Sequence, residues 1–329
     1  MNIKLLRLLA AVAISHFTLL NGQPSTGTPS VDPFTRTDTI PAPFQPGESV
    51  SIWSWGTLVS VRDAKSEAPM LITLDRLNNT RSQTLSIPGA RLVNIYSGRF
   101  AAGPDGSLAV AGSAYSDDSK ATSFLALISR DGRQQKLVQL SPFAPRALTV
   151  ASDGTIWMVG TELIGGKEVP DHDVLRRFDQ SGRLIGSSVP RRSLVRKLGF
   201  THPSENSYLA ASKGRVGWYS EATGVYTEFA LDGTVTGRFN TPSTIGMPGI
   251  AMCDDGQVFV STDHKTANGE RGWGIYVLAR DRDTWSFAPG NGRWGMLFGC
   301  DGNRLVSTTD MTSLTWLEPN ASALARFKP

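Results

Sequence analysis

The chain has 329 residues, 40% of them hydrophobic, which is enough to bury one large core in a single domain. Its 33 glycines and 19 prolines are typical of an all-β protein rich in turns. The formal charge is +4, and it falls to 31 − 29 = +2 without Lys4 and Arg7. Because the chain is nearly neutral and has no dense basic stripe, we do not expect nucleic acid as its partner.

The first 22 residues have the pattern of a secretory signal peptide. Lys4 and Arg7 precede an apolar run that is too short to span a bilayer, and a polar tract follows it. The cleavage pattern is weak, so an uncleaved membrane anchor stays an alternative. Residues 23–48, rich in Pro, Ser and Thr, are predicted to form a linker. We expect a secreted or periplasmic protein with no stable membrane insertion after signal removal.

A unit that extends from Arg146 to Gly186 repeats along the rest of the chain. It contains four short apolar runs separated by two tight turns and one long polar loop, which is typical of four antiparallel strands joined as a meander. The first turn recurs at intervals of 50, 48, 52, 50 and 46 residues, at Gly56, Gly106, Gly154, Asn206, Gly256 and Gly302.

A second series of turns keeps the same period. Its members are Asn79, Gly132, Gly182, Gly233, Asp283 and Asn320. Two interleaved series predict an all-β fold, a six-bladed β-propeller of four-stranded antiparallel blades. A β-sandwich is the alternative, although it has no reason to hold two turn series in phase. The predicted blades are residues 49–88, 89–143, 144–192, 193–242, 243–290 and 291–329.

Two segments resemble the NHL-type repeat. Residues Gly249 to Asp263 look like its opening half, and Val174 to Gly182 look like its closing half. The resemblance covers residues 50 to 320, and lactonase-like and streptogramin-lyase-like propellers share it. It implies the fold far more than an activity. Most blades lack the Asn-x-Arg-Ile step that usually starts the third strand of the repeat.

The outermost strand of blade six must come from one end of the chain. Residues Ala321 to Phe327 would supply it locally, whereas Thr39 to Phe44 would pair the two ends. Pro41 and Pro43 restrict the second segment to an edge strand. We favour the carboxy-terminal segment.

The two cysteines lie at nearly matching places in the first strands of blades five and six. A disulfide between Cys253 and Cys300 is one interpretation for an exported protein. The two positions are one residue out of register, however, and such an offset points side chains to opposite faces. We therefore favour two buried free thiols.

Ligands of propellers usually bind on the face where the connections between blades converge on the axial channel. Arg146, Lys197 and Arg293 are predicted at the mouth of this channel, and Arg91 and Arg99 flank the corresponding place in blade two. Several cations there would attract a carboxylate, sulfate or phosphate. The alternative is that each cation pairs with a neighbouring acid or reaches solvent.

Aromatic and histidine residues add further candidates on this face. Trp273 and Trp294 flank loops and would stack on a glycan or a peptide, although core packing is the alternative. His172 and His264 each stand beside an aspartate in a long loop, so they are candidate catalytic general bases. Isolated histidines in polar loops are also commonly just solvated.

Acidic residues follow the second strand in four of the six blades. If they reach a common point, their oxygens would hold a divalent cation such as Ca²⁺, as the resemblance to propeller lactonases implies. The alternative is that each ties its strand end to an adjacent loop. The candidate metal ligands are Asp63, Glu162, Asp263 and Asp310.

The sequence thus predicts an exported propeller that acts as a ligand- or protein-binding module, with its site at the axial mouth. A metal-assisted, lactonase-like hydrolase or a lyase is the alternative. Because GxSxG, HExxH, CxxC and P-loop patterns are absent, nucleophilic, zinc and nucleotide chemistry have no support. We expect a monomer whose partner is a small anionic ligand, a glycan or a protein.

Overall fold

The computed structural model describes residues 32–325, except 43, 46–47, 118–119, 134, 242–244, 266–270 and 290–293. The predicted signal peptide and the first part of the predicted linker therefore lie outside the described residues. Within the described part, no helix has the length and apolar character needed to cross a membrane.

The described chain forms six antiparallel sheets. Blade one consists of Ser49–Val50, Thr57–Arg62, Met70–Asp75 and Thr80–Thr84. Blade two consists of Leu92–Asn94, Phe100–Ala102, Leu108–Tyr115, Ala121–Ile128 and Gln135–Gln139, with Lys65–Ser66 added at its edge. Blade three consists of Phe143–Val150, Ile156–Ile164, Asp173–Phe178 and Leu184–Pro190, with the short strand Lys167–Glu168 beside its second strand.

The other three sheets have four strands each. Blade four consists of Ser207–Ser212, Arg215–Ser220, Val225–Ala230 and Val235–Asn240. Blade five consists of Ile245–Met252, Val258–Lys265, Arg271–Ala279 and Thr284–Pro289. Blade six consists of Met296–Asp301, Arg304–Thr308, Ser313–Pro319 and Phe34–Pro41. The helical turns are Arg191–Ser193, Arg280–Arg282 and Ala321–Leu324.

Six hydrophobic clusters join these sheets, one between each blade and the next. The last of them packs Trp53 and Leu58 of blade one against Val306 and Trp316 of blade six, so the ring is closed. The fold is a six-bladed β-propeller, as predicted. The second strands are continuously apolar because each is covered on both faces, and Ile156 to Thr161 are all buried.

The prediction that the carboxy-terminal segment completes blade six is wrong. The strand Phe34–Pro41, within the predicted linker, pairs antiparallel with Ser313–Pro319 and is the outermost strand of that blade. Residues Ala321–Leu324 form a short helix instead, because the Asn320 side chain accepts the backbone N–H of Ala323 as an N-cap. The edge position tolerates Pro41, which has no N–H to donate.

The preference for free thiols is also wrong, since Cys253 and Cys300 form a disulfide with a Cα–Cα distance of 5.1 Å. Cys253 lies in the core between blades five and six, and Cys300 packs against the same core. Neighbouring blades of a propeller turn opposite faces toward each other, so side chains that point to opposite faces meet between them. The one-residue offset therefore brings the two cysteines together instead of separating them.

Blade four begins one hairpin later than the turn series predicted. Asn206 does take a positive φ of 48°, but it precedes the innermost strand, Ser207–Ser212, instead of following it. The first hairpin of this blade closes at Gly214, whose φ is +78°. The connection before the blade is correspondingly long, so positions counted back from Asn206 fall in that connection.

Candidate functional site

A cavity of about 600 Å³ lies at the axis, where the innermost strands of the blades begin. All six blades contribute to its wall, and Met311 of the loop between the second and third strands of blade six also lines it. Two of the wall residues, Arg99 and Arg146, are arginines from neighbouring blades. The cavity therefore combines a concave shape with two cationic side chains.

Arg99 reaches the cavity because the innermost strand of blade two is interrupted. Leu92–Asn94 and Phe100–Ala102 both pair with Leu108–Tyr115, and the residues between them leave the ladder. Arg99 closes this irregular segment and is only 9% exposed. Its guanidinium carbon lies 4.3 Å from the centre of the Tyr96 ring, a cation–π contact that holds the side chain in place.

Arg146 occupies a similar irregularity in blade three. Pro145 pairs with Gly160 and Ala147 with Val159, so Arg146 is the extra residue of a β-bulge in the innermost strand. Bulges redirect side chains out of the regular alternation, and here the redirected side chain faces the axis. Pro145 has no backbone N–H, which suits a position where the ladder is broken.

The two guanidinium groups lack acidic partners among the described residues. Neither Arg99 nor Arg146 takes part in an ion pair there, and the buried Nε atom of each has no acceptor within hydrogen-bond reach in the same set. Burial, together with the charge of Arg146, lowers the pKa of Arg99 to about 10. Arg99 is nevertheless charged at neutral pH, and no acidic side chain in the described part of the chain compensates this charge.

Two carboxylates also line the cavity, and both have partners of their own. Glu48, whose side chain is 4% exposed, accepts a hydrogen bond from Arg62 Nε at 2.7 Å. Glu205 accepts the backbone N–H groups of Thr201 at 2.6 Å and His202 at 3.3 Å. Neither acid contacts the two cavity arginines, so the cationic side of the cavity keeps its charge.

Lys197 and Trp294, two of the predicted ligand-binding residues, do not line this cavity as far as the structure describes it. Lys197 is exposed on the long connection before blade four, where its backbone N–H donates to the Ala222 carbonyl at 2.7 Å. The prediction placed Lys197 at the channel mouth by counting back from Asn206. Asn206 does not close the first hairpin of blade four, so the counted position falls in the connection before the blade. Arg293 lies outside the described residues. Trp294 is 5% exposed and packs edge-on against Phe34 in the core between blades five and six.

Trp273 and His264 both belong to blade five. Trp273 is half-buried in the third strand, opposite Asp263 of the second strand. His264 follows in the second strand, opposite Gly272. Trp273 is not part of the cavity wall as far as the structure describes it, and the side chain of His264 lies outside the described part of the chain.

His172 is buried in blade three rather than solvated. It is 8% exposed, its Nδ1 atom lies 2.5 Å from the Val169 carbonyl oxygen, and its buried Nε2 atom has no hydrogen-bond partner among the described residues. It does not line the axial cavity. His202 lies with Nδ1 3.4 Å from Glu168 Oε2, between blades three and four.

The four predicted metal ligands do not share a site. Among the described residues, no three His, Cys, Asp or Glu side chains are placed to hold one ion. Glu162 pairs with Arg176 instead, and Asp310 accepts the backbone N–H of Thr312 in its own turn. Asp63 is exposed at a φ of 52°.

Comparisons with known proteins place the chain by its fold. No protein-family model matches the sequence, and no curated protein matches it. Among solved structures, the β-propeller domain of the Trilobed protease from Pyrococcus furiosus is 13% identical, with a TM-score of 0.44 over 87% of this chain and 100% of that one. The likeness is to β-propellers.

Two further structures resemble this propeller. A protein of unknown function from Dyadobacter fermentans is 12% identical, with a TM-score of 0.55 over 88% of this chain and 100% of that one. A catalytically inactive virginiamycin B lyase from Staphylococcus aureus, in complex with quinupristin, is 14% identical, with a TM-score of 0.42 over 87% of this chain and 98% of that one. At these identities the likeness shows the fold alone.

Proposed function

We propose that this protein is an exported β-propeller that acts as a binding module for a small anionic ligand at the axial mouth. Arg99 and Arg146 are the residues that hold the anion. One observation supports the proposal above all others: two neighbouring arginines face a single cavity, and no acidic side chain among the described residues pairs with either.

The cost of burying a charge is the physical reason for this assignment. A buried cation without a partner destabilises a protein, so such groups are normally paired or neutralised. Arg99 is buried beside a second cation, which adds repulsion to the desolvation. An anion bound between the two guanidinium groups would remove both costs through charge-assisted hydrogen bonds.

Two observations support export. The first 22 residues have the charge and length pattern of a secretory signal. The Cys253–Cys300 disulfide is a bond that forms and persists in oxidising compartments outside the cytosol.

The test is anion binding by the mature protein and by arginine variants. Sulfate, phosphate and acetate are titrated while thermal unfolding is followed, because a ligand that binds only the folded state raises Tm. We expect at least one of them to stabilise the wild-type protein and to lose its effect in Arg99→Gln and Arg146→Gln. Lys197→Gln, which removes an exposed cation outside the cavity, is the matched control. An unchanged response in both arginine variants would refute the proposal.

A further inference from the structure

We propose that the axial ligand is an amphipathic organic acid, a carboxylate joined to an apolar body of several carbon atoms. This inference rests on the proposed function and names the class of ligand for the same site. It follows from the chemistry of the cavity wall, since cationic and apolar side chains come from different blades.

Blades two and three supply the cationic part of the wall. Arg99 and Arg146 come from these adjacent blades, and Tyr96 lies against Arg99 with its hydroxyl accepting the Asn94 amide at 2.5 Å. Two guanidinium groups with free hydrogen-bond donors suit the planar oxygens of one carboxylate, since the fork of an arginine matches that geometry.

Blades six and one supply an apolar wall. Met296, Val50 and Ile52 are half-buried and line the cavity, and Phe298, the bulged residue of blade six, lies among them. Met311 stands at the rim and is 40% exposed. The Glu48 carboxylate on this side accepts a hydrogen bond from Arg62 through Oε1, while its buried Oε2 has no partner among the described residues, so Glu48 adds one acceptor to an otherwise apolar wall.

The cavity is too large for a simple inorganic ion. Small-molecule sites are typically about 300 to 1,000 Å³ and are lined mainly by apolar side chains with a few polar groups that fix orientation. The volume here, about 600 Å³, falls inside that range. An acetate or sulfate ion would satisfy the arginines and leave the apolar wall in contact with water, whereas a longer acid would cover it.

The experiment compares ligands that differ only in their apolar body. Binding of acetate, hexanoate, 3-phenylpropionate, hexyl phosphate and 1-hexanol to the mature protein is measured by calorimetry. Each buried methylene strengthens binding by about 4-fold, so we expect hexanoate to bind at least about 10-fold more tightly than acetate. Hexyl phosphate should bind more weakly than hexanoate, and 1-hexanol should not bind measurably.

Two variants separate the parts of the site. Arg99→Gln should remove hexanoate and acetate binding together. Met311→Asn should weaken hexanoate by about 3-fold to 10-fold and leave acetate unchanged, since it removes apolar surface only. Asn tolerates the positive φ of 63° at this position, so the loop should keep its conformation. Circular dichroism and Tm confirm that each variant folds.

The outcomes distinguish this inference from the proposed function. Equal affinities for acetate and hexanoate, with no effect of Met311→Asn, would overturn the apolar body and leave the anion site standing. Tighter binding of hexyl phosphate than of hexanoate would overturn the carboxylate. If no anion binds while 1-hexanol does, both the inference and the proposed function fail.

Discussion

The Phe34 ring packs edge-on against the Trp294 indole, with ring centroids 4.8 Å apart and planes at 78°. Phe34 is the first residue of the amino-terminal strand, and Trp294 directly precedes the innermost strand of blade six. Both side chains are buried in the core between blades five and six. This contact anchors the beginning of the described chain within the last blade of the ring.

Phe34→Ala should destabilise the protein by about 3 to 5 kcal/mol, because it removes a buried ring and leaves a cavity beside Trp294. Urea unfolding followed by tryptophan fluorescence measures the change. Thr35→Ala, at the exposed neighbouring position of the same strand, should alter stability by less than about 0.5 kcal/mol. Similar effects of the two substitutions would contradict the strand pairing described for blade six.

Replacement of both cysteines by alanine should lower the free energy of unfolding by about 4 kcal/mol. The Cys253–Cys300 bond closes a loop with a sequence separation of 47 residues, and the entropy lost by the unfolded chain grows with that length. A reductant should lower the urea midpoint of the wild-type protein and leave the double variant unchanged. A reductant effect on the double variant would assign the change to something other than this bond.

Arg99→Met should stabilise the protein while it abolishes anion binding. The folded state holds the pKa of Arg99 at about 10, well below the usual value of an arginine, because burial, and then Arg146, disfavour the charged form. This shift limits the gain to about 3 kcal/mol. A gain of stability at the expense of binding is typical of functional sites. If Arg99→Met were less stable than the wild-type protein, this result would contradict an uncompensated charge at Arg99.

The same substitution has a defined pH dependence. The folded protein releases the Arg99 proton at a lower pH than the unfolded chain does. The destabilisation by the buried charge is therefore complete below about pH 10 and declines as pH rises above it toward the higher pKa of the unfolded chain. The stability difference between Arg99→Met and wild type should be constant between about pH 6 and 9 and smaller at pH 10.5. Urea titrations at three pH values measure it.

Glu168→Gln should destabilise the junction of blades three and four at neutral pH. The carboxylate accepts hydrogen bonds from Arg191 Nε at 2.9 Å and Thr161 Oγ1 at 2.8 Å. Burial alone would raise the pKa of Glu168, but the bonds from Arg191 and Thr161 outweigh it and the pKa is lowered. We expect a loss of about 1 to 2 kcal/mol at pH 7.

This loss should disappear in acid. A lowered pKa means that the carboxylate stabilises the folded state above its unfolded pKa, near 4.5, and ceases to do so as pH falls through the lower folded value. The difference between the wild-type protein and Glu168→Gln should therefore begin to shrink as pH falls below about 4.5 and vanish only below the lowered folded pKa. Glu67→Gln, at an exposed position without a hydrogen bond or ion pair among the described residues, is the control for general effects of removing an acid. Persistence of the full difference in acid would contradict the assigned interactions.

The fold was readable from the sequence because turn chemistry repeats. Gly106, Gly154 and Gly256 all take positive φ in the turns where they were predicted, and the apolar runs after them are buried second strands. The sequence-based prediction was wrong in blade four, where two candidate turns could each close the first hairpin. Asn206 and Gly214 both have positive φ, and only the pairing of the strands decides which of them closes the hairpin.

The candidate site was readable only in part. Arg146 was placed at the channel mouth by counting from its turn, whereas Arg99 was recognised only as a flanking residue. Its orientation depends on an interruption of the innermost strand, and the sequence of that segment carries no periodicity that marks the break. A bulge likewise decides the position of Phe298. Register is set by tertiary packing, which a local pattern does not encode.

The pairing of Phe34–Pro41 with Ser313–Pro319 makes closure of the ring a contact between two distant parts of the chain. Long-range strand pairing of this kind is slow, because the entropy of loop closure must be overcome before the contact stabilises the fold. Until the pairing forms, Ser313–Pro319 presents an unpaired sheet edge, which is the kind of surface that aggregates unless it is shielded. We therefore expect the ring to close late in folding, after the individual blades have formed.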